Sequence, residues 1–195
     1  MGRKRIIDQE QVLDAAERVV ARDGAARLTL DAVALEAGIS KASVLYDYKS
    51  KQALIAALVE RSVANDNRFN NAMIGGLGTL PNATIRGRIA AAADPFPEQF
   101  RAIALNLCAA LAQDADLRWT IQRNQAEVID RITRTSANPR GALLAYLALE
   151  GLKLLETLDY YTWPKPERDR LLREINWLVD TQPKDDVALP NPEPS

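Results

Sequence analysis

Between residues 28 and 54 the chain reads LTLDAVALEAGISKASVLYDYKSKQAL, and this stretch restricts the fold more than any other. Thr29 stands where an N-cap hydroxyl is wanted, just ahead of Val33, Ala34 and Ala37, which share one face at helical spacing. Gly38 ends that helix, because a residue without Cβ enters the left-handed turn at no steric cost. Ile39 plugs the turn and Ser40 caps a second short helix. Ser50 then caps a third, which opens at Lys51. The order is that of a helix-turn-helix, whose second helix enters the major groove of double-stranded DNA. Two packed helices can imitate the bare pattern. The Ser-Lys-x-Ser run, the aromatic near the end of the second helix and the Lys-Ser-Lys opening of the third make it far more specific.

At these positions the sequence resembles the tetracycline-repressor (TetR) family of bacterial transcription regulators. The resemblance is carried by Thr29, Ala34, Ala37, Gly38, Ser40, Ser43, Tyr48 and Lys51, and in the preceding helix by Val12, Ala15, Ala16 and the closing Gly24. It is specific over residues 8–60; beyond them only length and helical pattern agree. Three positions depart from the family pattern. Ala42 replaces a usual Gly, Leu45 stands where a phosphate-reaching Tyr is common, and Asp47 stands where His, Asn or Tyr is common. A carboxylate near phosphates is repelled. The resemblance implies an all-α fold with a three-helix DNA-binding domain over 1–52 and a helical ligand-binding and dimerisation domain over 53–181. It further implies a ligand-responsive regulator, in most of the family a repressor, that binds a palindromic operator as a homodimer. Its small-molecule effector is not identified by the sequence. The competing reading is a helical interaction or sensor module with weak or lost DNA binding, which Leu45 and Asp47 keep open.

The expected DNA contacts are Thr29, Ser40, Lys41, Ala42, Ser43, Tyr46 and Lys51, together with Arg3, Lys4 and Arg5 ahead of helix one. That basic triplet reads equally as a solvated start or as a minor-groove arm. The net charge of −1 is poor for a DNA binder, but placement matters more. A counterion-releasing footprint needs only a few lysines and arginines facing phosphates.

Helix one is expected over residues 8–23, with Val12, Ala15, Ala16, Val19 and Val20 as its buried stripe. The third helix of the motif is expected to reach residue 73, where Gly75-Gly76-Leu77-Gly78 breaks the chain. That loop lacks the Lys-Ser/Thr of a P-loop and follows a helix, so it reads as a linker. Further helices are expected over 82–93, 98–113, 116–135, 138–158 and 167–181, with Asn106 on a wet face. The tail over 182–195 has four prolines and no apolar period, and reads as disordered.

The helix over 138–158 is apolar nearly all round, with small residues at Gly141, Ala145, Ala148 and Gly151. Such a helix is buried by more than one neighbour. These leucines read either as the core of a monomer or, following the resemblance, as half of a four-helix dimer interface. The interface candidates are Leu144, Ala148, Leu155, Leu171, Ile175 and Leu178. A pocket between the middle helices would be lined from Phe69, Met73, Leu107, Trp119, Ile121, Gln125 and Tyr146, although each taken singly also suits ordinary core or surface. Gln125 is the one amide on an otherwise apolar stripe of Leu117, Ile121, Val128 and Ile132. Glu150 and Lys153 read as an ion pair on a solvated edge, and Cys108 as a small buried hydrophobe.

The chain has no histidine and a single cysteine. It therefore lacks a histidine base, a histidine-paired nucleophile, a histidine metal ligand and a thiolate metal cluster. The reading is a non-enzyme with no catalytic residue, no metal and no cofactor. No run of about 18 apolar residues suggests a membrane span, and no apolar signal segment opens the chain, so the expected location is the cytoplasm.

Overall fold

The computed structural model describes residues 9–94 and 98–183, without the side chains at 98–100 and 113. Every regular element among them is helical: α1 (Gln9–Asp23), a 3-10 turn (Ala25–Arg27), α2 (Leu30–Ala37), α3 (Lys41–Asp47), α4 (Lys51–Gly76), α5 (Ala83–Ala91), α6 (Glu98–Gln113), α7 (Ala115–Thr135), α8 (Pro139–Thr157) and α9 (Lys165–Leu178). No helix among the described residues is long and apolar enough to cross a membrane. Arg3, Lys4, Arg5 and nearly all of the expected tail lie outside the described residues.

Two apolar cores organise the chain. The first gathers Val12, Ala15, Ala16, Val19 and Val20 of α1, Val33 of α2, Val44 of α3, and Leu54 and Leu58 of α4. Each fully buried Val or Leu contributes roughly 1.5–3 kcal/mol over an exposed one. Leu107 of α6 and Leu117 of α7 enter this same core, so the motif is not closed by its own helices alone. The second core joins Ile85 and Ile89 of α5, Ile132 of α7, Ala145 and Leu149 of α8, and Leu172 and Ile175 of α9.

α4 links the two cores. Its 26 residues span about 39 Å at 1.5 Å per residue. It continues through Gly75 and Gly76, three residues beyond the expected end, and the chain turns only at Leu77 and at Gly78, whose φ is 57°. Residues 65–71 carry four asparagines and an aspartate, which are poor helix formers. Side-chain bonds to α7 support this section: Asn67 Nδ2 donates to Asn124 Oδ1 at 2.7 Å, and Arg131 donates to Asn71 Oδ1 at 2.7 Å. α5 lies hard against the end of α4 because Gly87 has no side chain; a Cβ there would stand 2.5 Å from the Ile74 side chain.

α6 packs on α1, and this overturns two expectations. Asn106 is not free on a wet face but half-buried against α1: its Nδ2 donates to Ala102 O at 2.8 Å and to Val20 O in α1 at 3.3 Å. Cys108 lies on the opposite side of α6 and is exposed rather than buried.

Candidate functional site

α3 is held by caps at both ends. Ser40 Oγ accepts from Ser43 N at 3.1 Å, while the hydroxyls of Ser40 and Ser43 share a 2.8 Å hydrogen bond. Ser43 is thereby half-buried and committed locally instead of facing outward. Thr29 Oγ1 accepts from Ala32 N at 3.1 Å, the N-cap bond expected of it. Gly38 sits at φ 66°, ψ 33°, the left-handed turn that redirects the chain into α3. Val44 and Tyr48 face the first core. Lys41, Ala42, Leu45 and Tyr46 are left on the outer face, with Tyr46 75% exposed.

Lys49 steadies that face. Its Nζ donates to Tyr46 O at 2.7 Å and lies 5.4 Å from the centre of the Tyr46 ring. Lys41 pairs with Asp31 at 2.8 Å, and Lys51 Nζ donates to Ala26 O at 2.6 Å. Asp47, the carboxylate at odds with phosphate, accepts from Gln9 Nε2 of α1 at 3.2 Å and is drawn back toward the domain. Lys49 of the Lys-Ser-Lys run joins this surface as its placement implied, and so does Leu45, which is not among the expected contacts. Leu45 departs from the family pattern, and its position three residues after Ala42 is the available signal for its place on the outer face. Behind α3, Arg18 and Arg22 of α1 clasp Glu36 of α2 at 2.8 and 2.9 Å. Those hydrogen bonds hold the Glu36 carboxyl below its ordinary range.

A cavity of about 430 Å³ opens between α4, α5, α8 and α9, with Phe69, Ala91 and Ala92 as apolar lining and Arg88, Lys153 and Arg168 as cations. Of the seven expected pocket residues only Phe69 lines it. Leu107 is buried in the first core and Ile121 packs against that core, because α6 leans on α1 and the start of α7 packs on α4 and α6. Met73 and Trp119 are exposed, and the Arg123 guanidinium covers the Trp119 ring at 4.7 Å. Tyr146 is buried in the second core and donates its hydroxyl to Gln125 Oε1. Burial, and then the charge of Glu150, push the Tyr146 phenol up to about 12. Gln125 therefore has a partner within the chain, and the seven residues do not form one lining.

Two arginines dominate the cavity wall. Arg168 is fully tied: it meets both oxygens of Glu156 at 2.7 and 3.2 Å and donates to Ala93 O at 2.9 Å. Arg88 is only loosely paired, 3.6 Å from Asp66 and 3.9 Å from Glu150. Glu150 has its closer ion pair with Lys153, at 3.1 Å on a partly exposed edge as expected.

On the outer side of α8 and α9 the interface candidates divide. Leu144 and Leu155 are exposed, and Ala148, Leu171 and Leu178 are half-buried against the second core. Ile175 is 6% exposed within a single chain, so its surface already belongs to the second core; the expectation that it faces a partner is corrected. Its turn of α9 points the neighbouring Trp177 outward instead. Leu147 and Leu154 of α8 join the exposed stripe, with Gly151 open between them.

Residues 12–58 match the family model described as bacterial regulatory proteins, tetR family, and residues 82–180 match that of the tetracyclin repressor-like C-terminal domain. No curated protein matches the sequence significantly. Solved structures agree in fold. A protein assigned as a transcriptional regulator, SCO7518 of Streptomyces coelicolor A3(2), superposes with a TM-score of 0.70 at 16% identity over 89% of this chain and 98% of its own. A TetR-family regulator from a Rhodococcus species gives 0.69 at 19% identity, covering 88% and 98%. The multidrug binding protein EbrR, complexed with malachite green, gives 0.69 at 20% identity, covering 92% and 100%.

Proposed function

The chain belongs to the tetracycline-repressor family of DNA-binding transcription regulators, and from that premise we propose that it is an effector-responsive repressor which binds a palindromic operator as a homodimer. The observation that carries this reading is α4, one continuous helix that follows the reading helix α3 directly in the chain and whose later residues Asp66, Phe69 and Asn70 line the 430 Å³ cavity. A molecule filling the cavity touches the helix whose Leu54 and Leu58 share the first core with Val44 of α3. The mechanism is a population shift. Two reading heads fit successive major grooves, about 34–36 Å apart, at one separation only. An effector that prefers another separation weakens DNA binding by its differential affinity for the two states, typically 1–3 kcal/mol.

The exposed stripe of Leu144, Leu147, Leu154 and Leu155, with Trp177 beside it, supports the dimer. An apolar row of this kind on one helix face calls for a covering surface. Two-fold pairing of α8 and α9 with their copies supplies it and gives the symmetry a palindrome requires. The bond from Gln9 to Asp47 weakens the case for a module that has lost DNA binding, since the offending carboxylate is engaged away from the outer face of α3.

The test is binding-site selection from random duplexes, followed by gel shift on the recovered site and on DNA upstream of the protein's own gene. The expected result is an inverted repeat bound by two chains. Recovery of no sequence preference would reject the regulator reading in favour of a non-DNA-binding module.

A further inference from the structure

Resting on the effector reading above, we propose that the cavity recognises an amphipathic carboxylate, with Arg88 as the anion-binding residue and Phe69, Ala91 and Ala92 as the seat of its apolar body. Arg88 lies on α5 and is 5% exposed. It forms part of the wall of the 430 Å³ cavity and also of a second cavity of about 160 Å³ on the α7 side. Its side chain is thus shared by the walls of both. A guanidinium carries five N–H donors and stays charged. Among the described residues none accepts a hydrogen bond from Arg88, and its Nε is enclosed without a partner.

The contrast with Arg168 shows that this is not what the cavity imposes on any arginine. Both side chains are equally buried, yet Arg168 is satisfied by Glu156 and the Ala93 carbonyl. Buried polar groups are hydrogen-bonded in the great majority of cases, and an exception invites a ligand. The neighbouring carboxylates do not fill the role. Asp66 is about half exposed and 3.6 Å away, and Glu150, at 3.9 Å, is nearer to Lys153. The Tyr146 ring lies over the guanidinium carbon at 5.6 Å, and the donors of the guanidinium lie along its edge. A carboxylate matches that edge with two parallel hydrogen bonds, which an alcohol or an amine cannot make.

The sign of the charge also favours an anion. Arg168 is neutralised by Glu156, and Asp66 and Asp94 lie toward solvent, where their fields are screened. The charge buried at the junction of the cavities is positive. A ligand cation would have to approach Arg88 directly.

The test uses three probes with one apolar chain: decanoate, decanol and decylamine, each titrated into the full-length protein by calorimetry. The expected order is decanoate at least tenfold tighter than decanol, with decylamine weakest. Arg88→Met should abolish the preference for decanoate over decanol while retaining decanol binding, and Arg88→Lys should keep a reduced preference, because it retains the charge and loses the fork. Equal affinity for decanoate and decanol in the unmodified protein, tighter decylamine binding, or no binding of any probe would overturn the proposal without recourse to a variant. So would an Arg88→Met protein that still prefers decanoate. Operator binding by the ligand-free protein is measured alongside. Its loss would reject the regulator reading, whereas its presence with no carboxylate preference would reject only the role given to Arg88.

Discussion

Lys51 gives its ammonium to the carbonyl oxygen of Ala26, 2.6 Å away, and so pins the first turn of α4 to the 3-10 turn that follows α1. One donor of three is used, and the remaining two sit at a helix N-terminus, where an operator phosphate is favoured. Lys51→Met should therefore do two things. It should lower stability by about 1 kcal/mol for the lost hydrogen bond. It should also weaken binding to all DNA sequences alike and reduce the salt slope by about one. A lowered melting temperature with an unchanged salt slope would assign Lys51 to the turn alone.

Gln125 and Tyr146 set a second prediction. Gln125→Leu leaves the Tyr146 hydroxyl buried without its acceptor, at a cost of about 1–3 kcal/mol. Tyr146→Phe should cost less, because the half-buried Gln125 amide can turn to water. Thermal unfolding of both variants checks the order. A Gln125→Leu protein as stable as the parent would mean that the amide serves something other than Tyr146.

The proposed interface is separable from the core by position. Leu147→Glu places a charge on a side chain 58% exposed in the single chain, so it should convert a dimer to folded monomers in sedimentation and weaken operator binding with it. Ile175→Glu places the charge in the second core and should cost roughly 3–5 kcal/mol, unfolding the chain rather than merely splitting it. A Leu147→Glu variant that remains dimeric would move the interface off this face of α8.

The clasp of Arg18 and Arg22 on Glu36 has a pH signature. Hydrogen bonds from the arginines lower the Glu36 pKa below its ordinary value of 4.5. A carboxyl lowered on folding stabilises the protein fully above its ordinary value, and that contribution is lost as the pH falls through the folded value. Glu36→Gln should accordingly melt below the parent at neutral pH, and the gap should close in acid. A gap that stays constant from neutral pH down to pH 3 would show that the charge is immaterial.

What could be read from the residues alone divides along a physical line. The helix-turn-helix was legible because its determinants are local: Thr29, Ser40 and Ser50 each cap a helix within three residues, and Gly38 needs only its own φ. The helix order was legible from apolar spacing. The cavity was not, because its lining is chosen by tertiary packing. Leu107 looked like any inward leucine, and only the tilt of α6 against α1 assigned it to the first core. Arg88 gave no signal, since a charged residue on a short helix of nine residues reads as surface until α4, α7 and α8 close over it. Ile175 and Trp177 are two residues apart in the same helix, and periodicity cannot say which side meets a partner.

The asparagine-rich section of α4 gives the helix uneven flexural stiffness. Four asparagines and an aspartate within seven residues forfeit roughly 3 kcal/mol of intrinsic helix preference against alanine. The section stays straight by leaning on Asn124 and Arg131 of α7. Bending compliance is therefore concentrated beside the cavity, while the apolar first half, packed in the core, moves as a stiff arm. On an arm of about 21 Å, a bend of about 9° swings the far end by about 3 Å, close to the rise of one base pair. A molecule that changes how α4 rests on α7 alters register on DNA without unfolding anything.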